Sequence, residues 1–266
     1  MYRYLLVALC LLLVGCIGTL STQGQNFNPS KVHLVDKLNG SYLFSGNEPL
    51  TGKGKDRRFA HAELISEINQ RLKQEGYKQL EASDFEIVDI SLLNRVADDH
   101  DLKIEKAFFK KNPDMGRFIN WPLFYVDELI PAKQSERNEI VGLLPGNKLV
   151  RFLEKGVMKL LINQNRKTYK HVVKLKQLLE EASENRNDGK VTIFYIHCNA
   201  GCDRTGEFIT AYRMTNNKLS CSEAAKKNTA ECGRPQNYYS VNGTYWYCKY
   251  LKSLDSDYVC DCPETL

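Results

Sequence analysis

The sequence predicts an α/β domain in layers, a partly parallel central sheet flanked by helices. Three observations predict it. Val191-Thr192-Ile193-Phe194-Tyr195-Ile196 is a run of β-favouring residues that leads through a short loop into a helix-patterned stretch, Glu207 to Asn216. Upstream, strand-like and helix-like segments alternate instead of grouping by type. The chain is also long enough, at 266 residues with 42% hydrophobic composition, to bury a substantial core in one domain.

Taken in order, Thr22 to Ser30 is polar, and Ser41 to Phe44 has the composition of a short strand. Ala60 to Lys73 carries Ile65, Ile68 and Leu72 at helical spacing, and Gly76 supplies a stop. Phe85 to Leu92 alternates and is rich in Ile and Val, which predicts a strand. Arg117 to Val126 predicts another, with Pro122 marking an edge or bend. Asp127 to Gly146, with two prolines and many charges, reads as a long loop or insertion. Leu149, Phe152, Leu153, Val157, Leu160 and Leu161 trace the face of one helix, and Val172, Leu175, Leu178, Leu179 and Ala182 that of a second. Asn187-Asp188-Gly189 turns the chain into the Val191 strand. Phe208, Ile209, Ala211, Tyr212 and Met214 suit an amphipathic helix after the loop. Trp246, Tyr247, Tyr250 and Leu251 predict a final packed helix, and Cys260-Asp261-Cys262 forms a short tail. In sheets of this kind active sites lie beyond the carboxyl ends of strands, which is where the Val191 strand delivers His197 and Cys198.

The loop between strand and helix is His197-Cys198-Asn199-Ala200-Gly201-Cys202-Asp203-Arg204-Thr205-Gly206. It ends at a helix start, where unpaired backbone N–H groups and the positive end of the dipole favour an anion. Successive N–H groups turned into a tight loop make a nest for phosphate oxygens. Gly201 and Gly206 permit the turn and a close backbone approach. Arg204 has the planar fork that holds two phosphate oxygens at once. The same field favours a thiolate at Cys198, and the thiolate is the attacking form of cysteine.

This segment resembles the signature loop of the cysteine-dependent protein tyrosine and dual-specificity phosphatases: His-Cys, five residues, Arg-Thr-Gly. The match covers about a dozen residues. The resemblance implies a tyrosine-phosphatase-like fold, hydrolysis of phosphomonoesters through a cysteinyl-phosphate, and no cofactor or metal. It makes Cys198 the nucleophile and Arg204 the oxyanion clamp. His197 then orients the loop, Thr205 hydrogen-bonds the sulfur, and Asn199, Ala200, Gly201, Cys202 and Gly206 line the phosphate cradle. In most such enzymes an aspartate on a mobile loop, before the helix that precedes the signature strand, protonates the leaving oxygen. Here the matching interval, Leu161 to Thr168, holds Asn163, Gln164, Asn165 and Arg166 and no carboxylate. Trp121-Pro122 is followed by Leu123 and lies too far upstream, so it reads as core strand. Asp203, immediately before the arginine, resembles the loop aspartate of myotubularin-type phosphoinositide phosphatases and of certain secreted bacterial tyrosine/lipid phosphatases, which implies an acid's role. Its other use is a salt bridge or a helix cap. Asp98, Asp99, Asp101 and Asp127 are further carboxylates for that role. The partner is a phosphorylated protein or a phosphoinositide. The loop aspartate leans toward the lipid, and the absence of lysine between Cys198 and Arg204 toward the protein. A catalytically silent phosphate sensor is the rival of a different class.

The formal charge of +5 is modest and dispersed, which excludes a nucleic-acid footprint. Lys53, Lys55, Arg57 and Arg58 form the densest basic run, read as a solvated loop or as a second anionic contact. Residues 1–21 read as a signal peptide: Arg3, then an apolar run from Tyr4 to Val14 too short to span a bilayer, then small residues. Residues 22–266 then form the phosphatase domain, secreted or lumenal, with no stable membrane span. Leu13-Val14-Gly15-Cys16 also resembles a lipoprotein cleavage box, which would anchor the chain at Cys16. Of nine cysteines, Cys10 and Cys16 fall in the leader. With Cys198 set aside, Cys202, Cys221, Cys232, Cys248, Cys260 and Cys262 remain. An even, clustered set predicts disulfides in an oxidising compartment, and the spacing argues against a zinc cluster. Asn39-Gly40-Ser41 and Asn242-Gly243-Thr244 have the glycosylation pattern.

Overall fold

The computed structural model describes residues 25–123 apart from 39, 82–83 and 96, the backbone of 147–164, residues 165–184, and residues 190–262. The leader, Asn39, Asp127 and the segment Asp127 to Gly146 lie outside the described residues.

A five-stranded sheet forms the centre, in the order β1 (His33–Leu38), β2 (Ser41–Asn47), β7 (Val191–Cys198), β5 (Phe85–Ser91), β6 (Gly116–Asn120). The edge pair β1/β2 is antiparallel and the other three pairings are parallel. The partly parallel α/β sheet is therefore present. A separate two-stranded ribbon joins β3 (Leu50–Thr51) to β4 (Arg58–Phe59).

Alternation along β7 explains both layers. Ile193 and Tyr195 pack with Tyr42, Phe44 and Ile87 against Leu64, Ile68 and Leu72 of α1 (His61–Gln74) and Phe109 of α2 (Asp99–Lys111). Phe194, Ile196 and Cys198 face the other way, toward Val172, Leu175 and Leu179 of α3 (Asn147–Glu184) and Phe208, Ile209 and Tyr212 of α4 (Asp203–Asn216). β7 is thus apolar on both faces, as parallel strands between helical layers are. Two further helices, α5 (Cys221–Cys232) and α6 (Tyr238–Leu254), complete the side that carries α4.

Several expectations are corrected. The two helices expected on either side of Leu161–Thr168 are one 38-residue helix, so that interval is helical and offers no loop for an acid. Of the strand expected over Arg117 to Val126, the described part runs Gly116–Asn120, and Phe124 to Val126 lie outside the described residues; Trp121 and Leu123 follow the strand and donate to the carbonyls of Ser91 and Leu92, which keeps them against the end of β5. Pro122 has no N–H to continue the ladder. The helix after the loop is not amphipathic: Thr205 to Met214 are all buried, because α3, α5 and α6 enclose it. Among its residues, Arg213 is buried against Glu231 in a two-point pair. Asn242 is 5% exposed inside α6, closed to glycosylation in the folded chain.

Besides the short β3/β4 ribbon, three larger elements were not foreseen. β1 carries His33, Asp36 and Lys37 because it is an edge strand, half exposed. α2 is rich in charge, and its charged residues face inward as well as outward. α5 has legible signals after the fact: Ser220 and Glu223 form a capping box, and Gly233 closes the helix at φ +75°.

Candidate active site

Cys198 ends β7, pairs in register with Asn47 of β2 and is 3% exposed. Among the described residues it is the free cysteine. The loop then bends over the end of β2: the Asn199 carbonyl accepts the Glu48 N–H at 3.3 Å. Gly201, at φ +72°, lies so close to β2 that a Cβ there would stand 2.6 Å from the Asn47 nitrogen. Glycine is needed at this turn both for its backbone angle and for the space. Inside α4, a Cβ on Gly206 would meet the Asn228 side chain at 2.4 Å, so α5 packs directly onto the first turn.

Cys202 is the N-cap of α4 and makes no side-chain cap hydrogen bond. Its sulfur is instead bonded to Cys232 at the end of α5. The first-turn N–H groups of α4 are thereby left without a local side-chain cap, the condition that favours an anion there. Lys31 adds a cation beside this bridge, bonding the Cys232 carbonyl. The other half-cystines pair as Cys221–Cys262 and Cys248–Cys260, which staple the C-terminal tail to α5 and α6. The six clustered cysteines are therefore in disulfides, a pattern compatible with an oxidising compartment.

Arg204 is partly buried, and its Nη1 donates to Asp98 Oδ2 at 2.9 Å. Asp98 is the N-cap residue of α2 and also accepts the Asn94 N–H. Sequence reasoning placed Asp98 only among unassigned carboxylates; the structure brings it to Arg204. Asp99 lies in the exposed first turn of α2, paired with Lys103. Asp101 turns inward to Arg57.

Asp203 sits at the rim. Its carboxylate takes two bonds from Arg234, at 3.1 and 2.7 Å, and the Asn237 N–H at 2.8 Å. Its carbonyl takes Gln236 Nε2. Asp203 thus ties the loop to the start of α6. Thr205 is buried, and its hydroxyl has no hydrogen-bond partner among the described residues. Asn199 and Ala200 are half-buried at the mouth.

Behind the loop lies a buried charge layer. Arg57, one of the basic run, is not solvated: its side chain is 5% exposed and bridges Glu48 and Asp101, each at 2.7 Å. Lys53, Lys55 and Arg58 are exposed, as expected. Asp101 balances the guanidinium, while burial first, and then the charge of Asp101, push Glu48 up to about 8. Its folded-state pKa lies above the unfolded one, so this contribution to stability is full below about pH 4.5 and is lost as pH rises toward 8. Glu48→Gln is expected to flatten the fall in stability between pH 5 and 8, by on the order of a few kcal/mol. Chemical denaturation at a series of pH values measures it, and an unchanged slope would reject the assignment.

Among the described residues, two groups bring metal-type side chains together. Cys221, Cys248 and Cys262 are consumed by disulfides. Asp89, Glu105 and His197 bring one ligand-type atom each to within 4.8 Å of one another.

No protein-family model and no curated protein matches this chain. Solved structures resemble it weakly. A mutant form of Tk-PTP aligns at 14% identity over 85% of this chain and 99% of its own, with a TM-score of 0.43. Human DUSP28 aligns at 15% over 80% and 89%, with a TM-score of 0.33. The Cydia pomonella PTP-2 phosphatase aligns at 13% over 76% and 83%, with a TM-score of 0.26. Likeness at this level speaks to neither activity nor substrate.

Proposed function

We propose that the protein is a phosphatase that hydrolyses phosphomonoesters through a cysteinyl-phosphate, working in an oxidising compartment after export through the signal peptide at residues 1–21. The observation that carries the proposal is the join of Cys198, a free buried thiol at the end of β7, to a loop that finishes at the uncapped start of α4 with Arg204 in its first turn.

In this mechanism the Cys198 sulfur attacks phosphorus as a thiolate. The S–P bond forms while the P–O bond of the ester breaks, and the loop N–H groups with Arg204 hold the equatorial oxygens. The departing oxygen takes a proton from Asp203, from another carboxyl at the site or, for an activated leaving group, from solvent; water then attacks phosphorus, gives up its proton to solvent and displaces the sulfur as thiolate, releasing phosphate. His197, Thr205, Asn199, Ala200, Gly201, Cys202 and Gly206 keep the roles the resemblance gives them. Protein phosphotyrosine is the favoured substrate class, because no lysine stands between Cys198 and Arg204 to widen the cradle's charge. A phosphoinositide is the second, favoured by Asp203 in the loop. Activity of the purified protein on an aryl phosphate tests the reading, since an activated leaving group needs little acid help. Turnover supports it, and phosphate binding without turnover would make the chain a silent phosphate sensor. A panel of phosphopeptides and phosphoinositides then separates the two substrate classes.

Asp203 holds Arg234 and the start of α6, and both of its oxygens are engaged there. Asp203→Asn is accordingly expected to slow aryl and alkyl phosphates alike, by roughly tenfold to a hundredfold through misplacement of the loop. The measurement is kcat/KM against leaving-group pKa for both proteins. Parallel lines fit an anchor, and a steeper dependence in the variant would make Asp203 the general acid.

A further inference from the structure

On the face of β7 opposite Cys198, three fully buried side chains meet. His197 Nε2 stands 3.1 Å from Asp89 Oδ1 and 3.5 Å from Glu105 Oε1, with all three side chains 0% exposed. Among the described residues, none of their six nitrogen and oxygen atoms has a hydrogen-bond partner of good geometry. Buried polar atoms are nearly always paired, so six left together call for an explanation. The strands account for the meeting. Asp89 and Ser91 lie in register with Tyr195 and His197 across the β5/β7 pairing, which puts all four side chains on one face of the sheet. Glu105 comes down on them from α2, and the Tyr195 ring stacks on the His197 ring at 5.7 Å.

We propose that Asp89 and Glu105 are positioning residues that act on Cys198 through His197: they fix the imidazole from two elements, and with it the peptide that leads into the nucleophile. The inference rests on the phosphatase reading of Cys198. The His197 carbonyl is held independently by the Leu92 N–H at 2.9 Å, so the ring is the freedom left to fix. The two carboxyls are not equivalent. Burial first, and then the charge of Asp89, raise Glu105 well above the usual carboxylate range, which favours its protonated form. Asp89 meets the ring from the neighbouring strand at 3.1 Å, and Glu105 meets it from α2 at 3.5 Å. Polar groups held this close to the ring in a dry site favour one ring orientation electrostatically, a preference that apolar packing alone would not supply.

The test uses the full chain with Asp89→Asn, Glu105→Gln and His197→Ala, alone and combined. Three quantities are read: kcat on an aryl phosphate, the rate of Cys198 alkylation by iodoacetamide followed on its peptide by mass spectrometry, and competitive inhibition by inorganic phosphate. Asp89→Asn is expected to lower kcat and alkylation about tenfold or more, while the inhibition constant for phosphate stays within about twofold. Glu105→Gln, which preserves a neutral group of the same shape, is expected to cost several-fold less than Asp89→Asn. In the His197→Ala background, Asp89→Asn is expected to add less than about twofold, because the ring is the link. Additive losses from Asp89→Asn and His197→Ala overturn the inference. So does a matching loss of phosphate affinity, which marks general damage to the fold. A stoichiometric divalent metal in the purified wild type, lost on either carboxyl substitution, also overturns it and makes the cluster a metal site. Absence of turnover in the wild type would fail the phosphatase reading instead, and the alkylation arm would still decide the coupling.

Discussion

Replacing Cys198 with serine is expected to lower kcat by on the order of ten-thousandfold or more while phosphate still binds. Serine differs from cysteine by one atom at the bottom of the cradle. Its hydroxyl is a poor nucleophile without a base to activate it, and the ring beside it, His197, points into the core on the opposite face of β7. The parts proposed to bind the anion are left in place: the bend at Gly201 over β2, the start of α4 and the Cys202–Cys232 bridge. Steady-state kinetics on an aryl phosphate, with phosphate binding measured by calorimetry, checks both halves. Residual activity within tenfold of wild type would remove the cysteine mechanism.

Arg204→Lys is the second large effect. Its kcat/KM is expected to fall about a hundredfold to a thousandfold. An ammonium is a compact charge with no flat pair of N–H bonds to match two phosphate oxygens, so it cannot follow charge onto the equatorial oxygens as the ester breaks. Lysine can still meet Asp98, the present partner of the guanidinium at 2.9 Å, so the fold and the start of α2 should hold. The loss should therefore appear in kcat as well as KM, with little change in thermal midpoint. A variant that loses only affinity would show that Arg204 binds the ground state without favouring the transition state.

The parts of this site that were legible in the sequence are those with strong local rules. The Val191 strand, the glycine-bearing loop and the following helix were readable because β-branched and aromatic residues, turn residues and a helical run succeed one another without ambiguity. The clustered cysteines were readable as disulfides by their even number, but the pairing Cys202–Cys232 was not, because connectivity depends on how α4 and α5 pack. The long α3 was read as two helices because its apolar positions were traced as two runs, Leu149 to Leu161 and Val172 to Ala182, although no proline or glycine interrupts Leu161 to Thr168. β1 and α2 were missed for the same reason as each other: both lie at the border between core and solvent, where charged residues dilute the apolar period.

The buried partners of the loop were the least legible. Asp98, Asp89 and Glu105 lie about a hundred residues upstream of the signature, and nothing local marks them. Asp89 looks like an isolated polar residue in an apolar strand, and Glu105 like any surface acid on a charged helix. Only the pairing of β5 with β7, and the seating of α2 over that face, bring them beneath His197. Arg57 illustrates the converse, since its basic neighbours suggested solvent and its own side chain is 95% shielded between two carboxylates.

The central claim is covalent. Mixing the purified wild type with excess aryl phosphate, quenching within the first turnover and mapping the peptides by mass spectrometry tests it directly. The account predicts a single phosphoryl group on the peptide bearing Cys198, absent in Cys198→Ser and disappearing as substrate is exhausted. Turnover with no phosphorylated Cys198 peptide at any time, or with the phosphoryl group on another side chain, would contradict it.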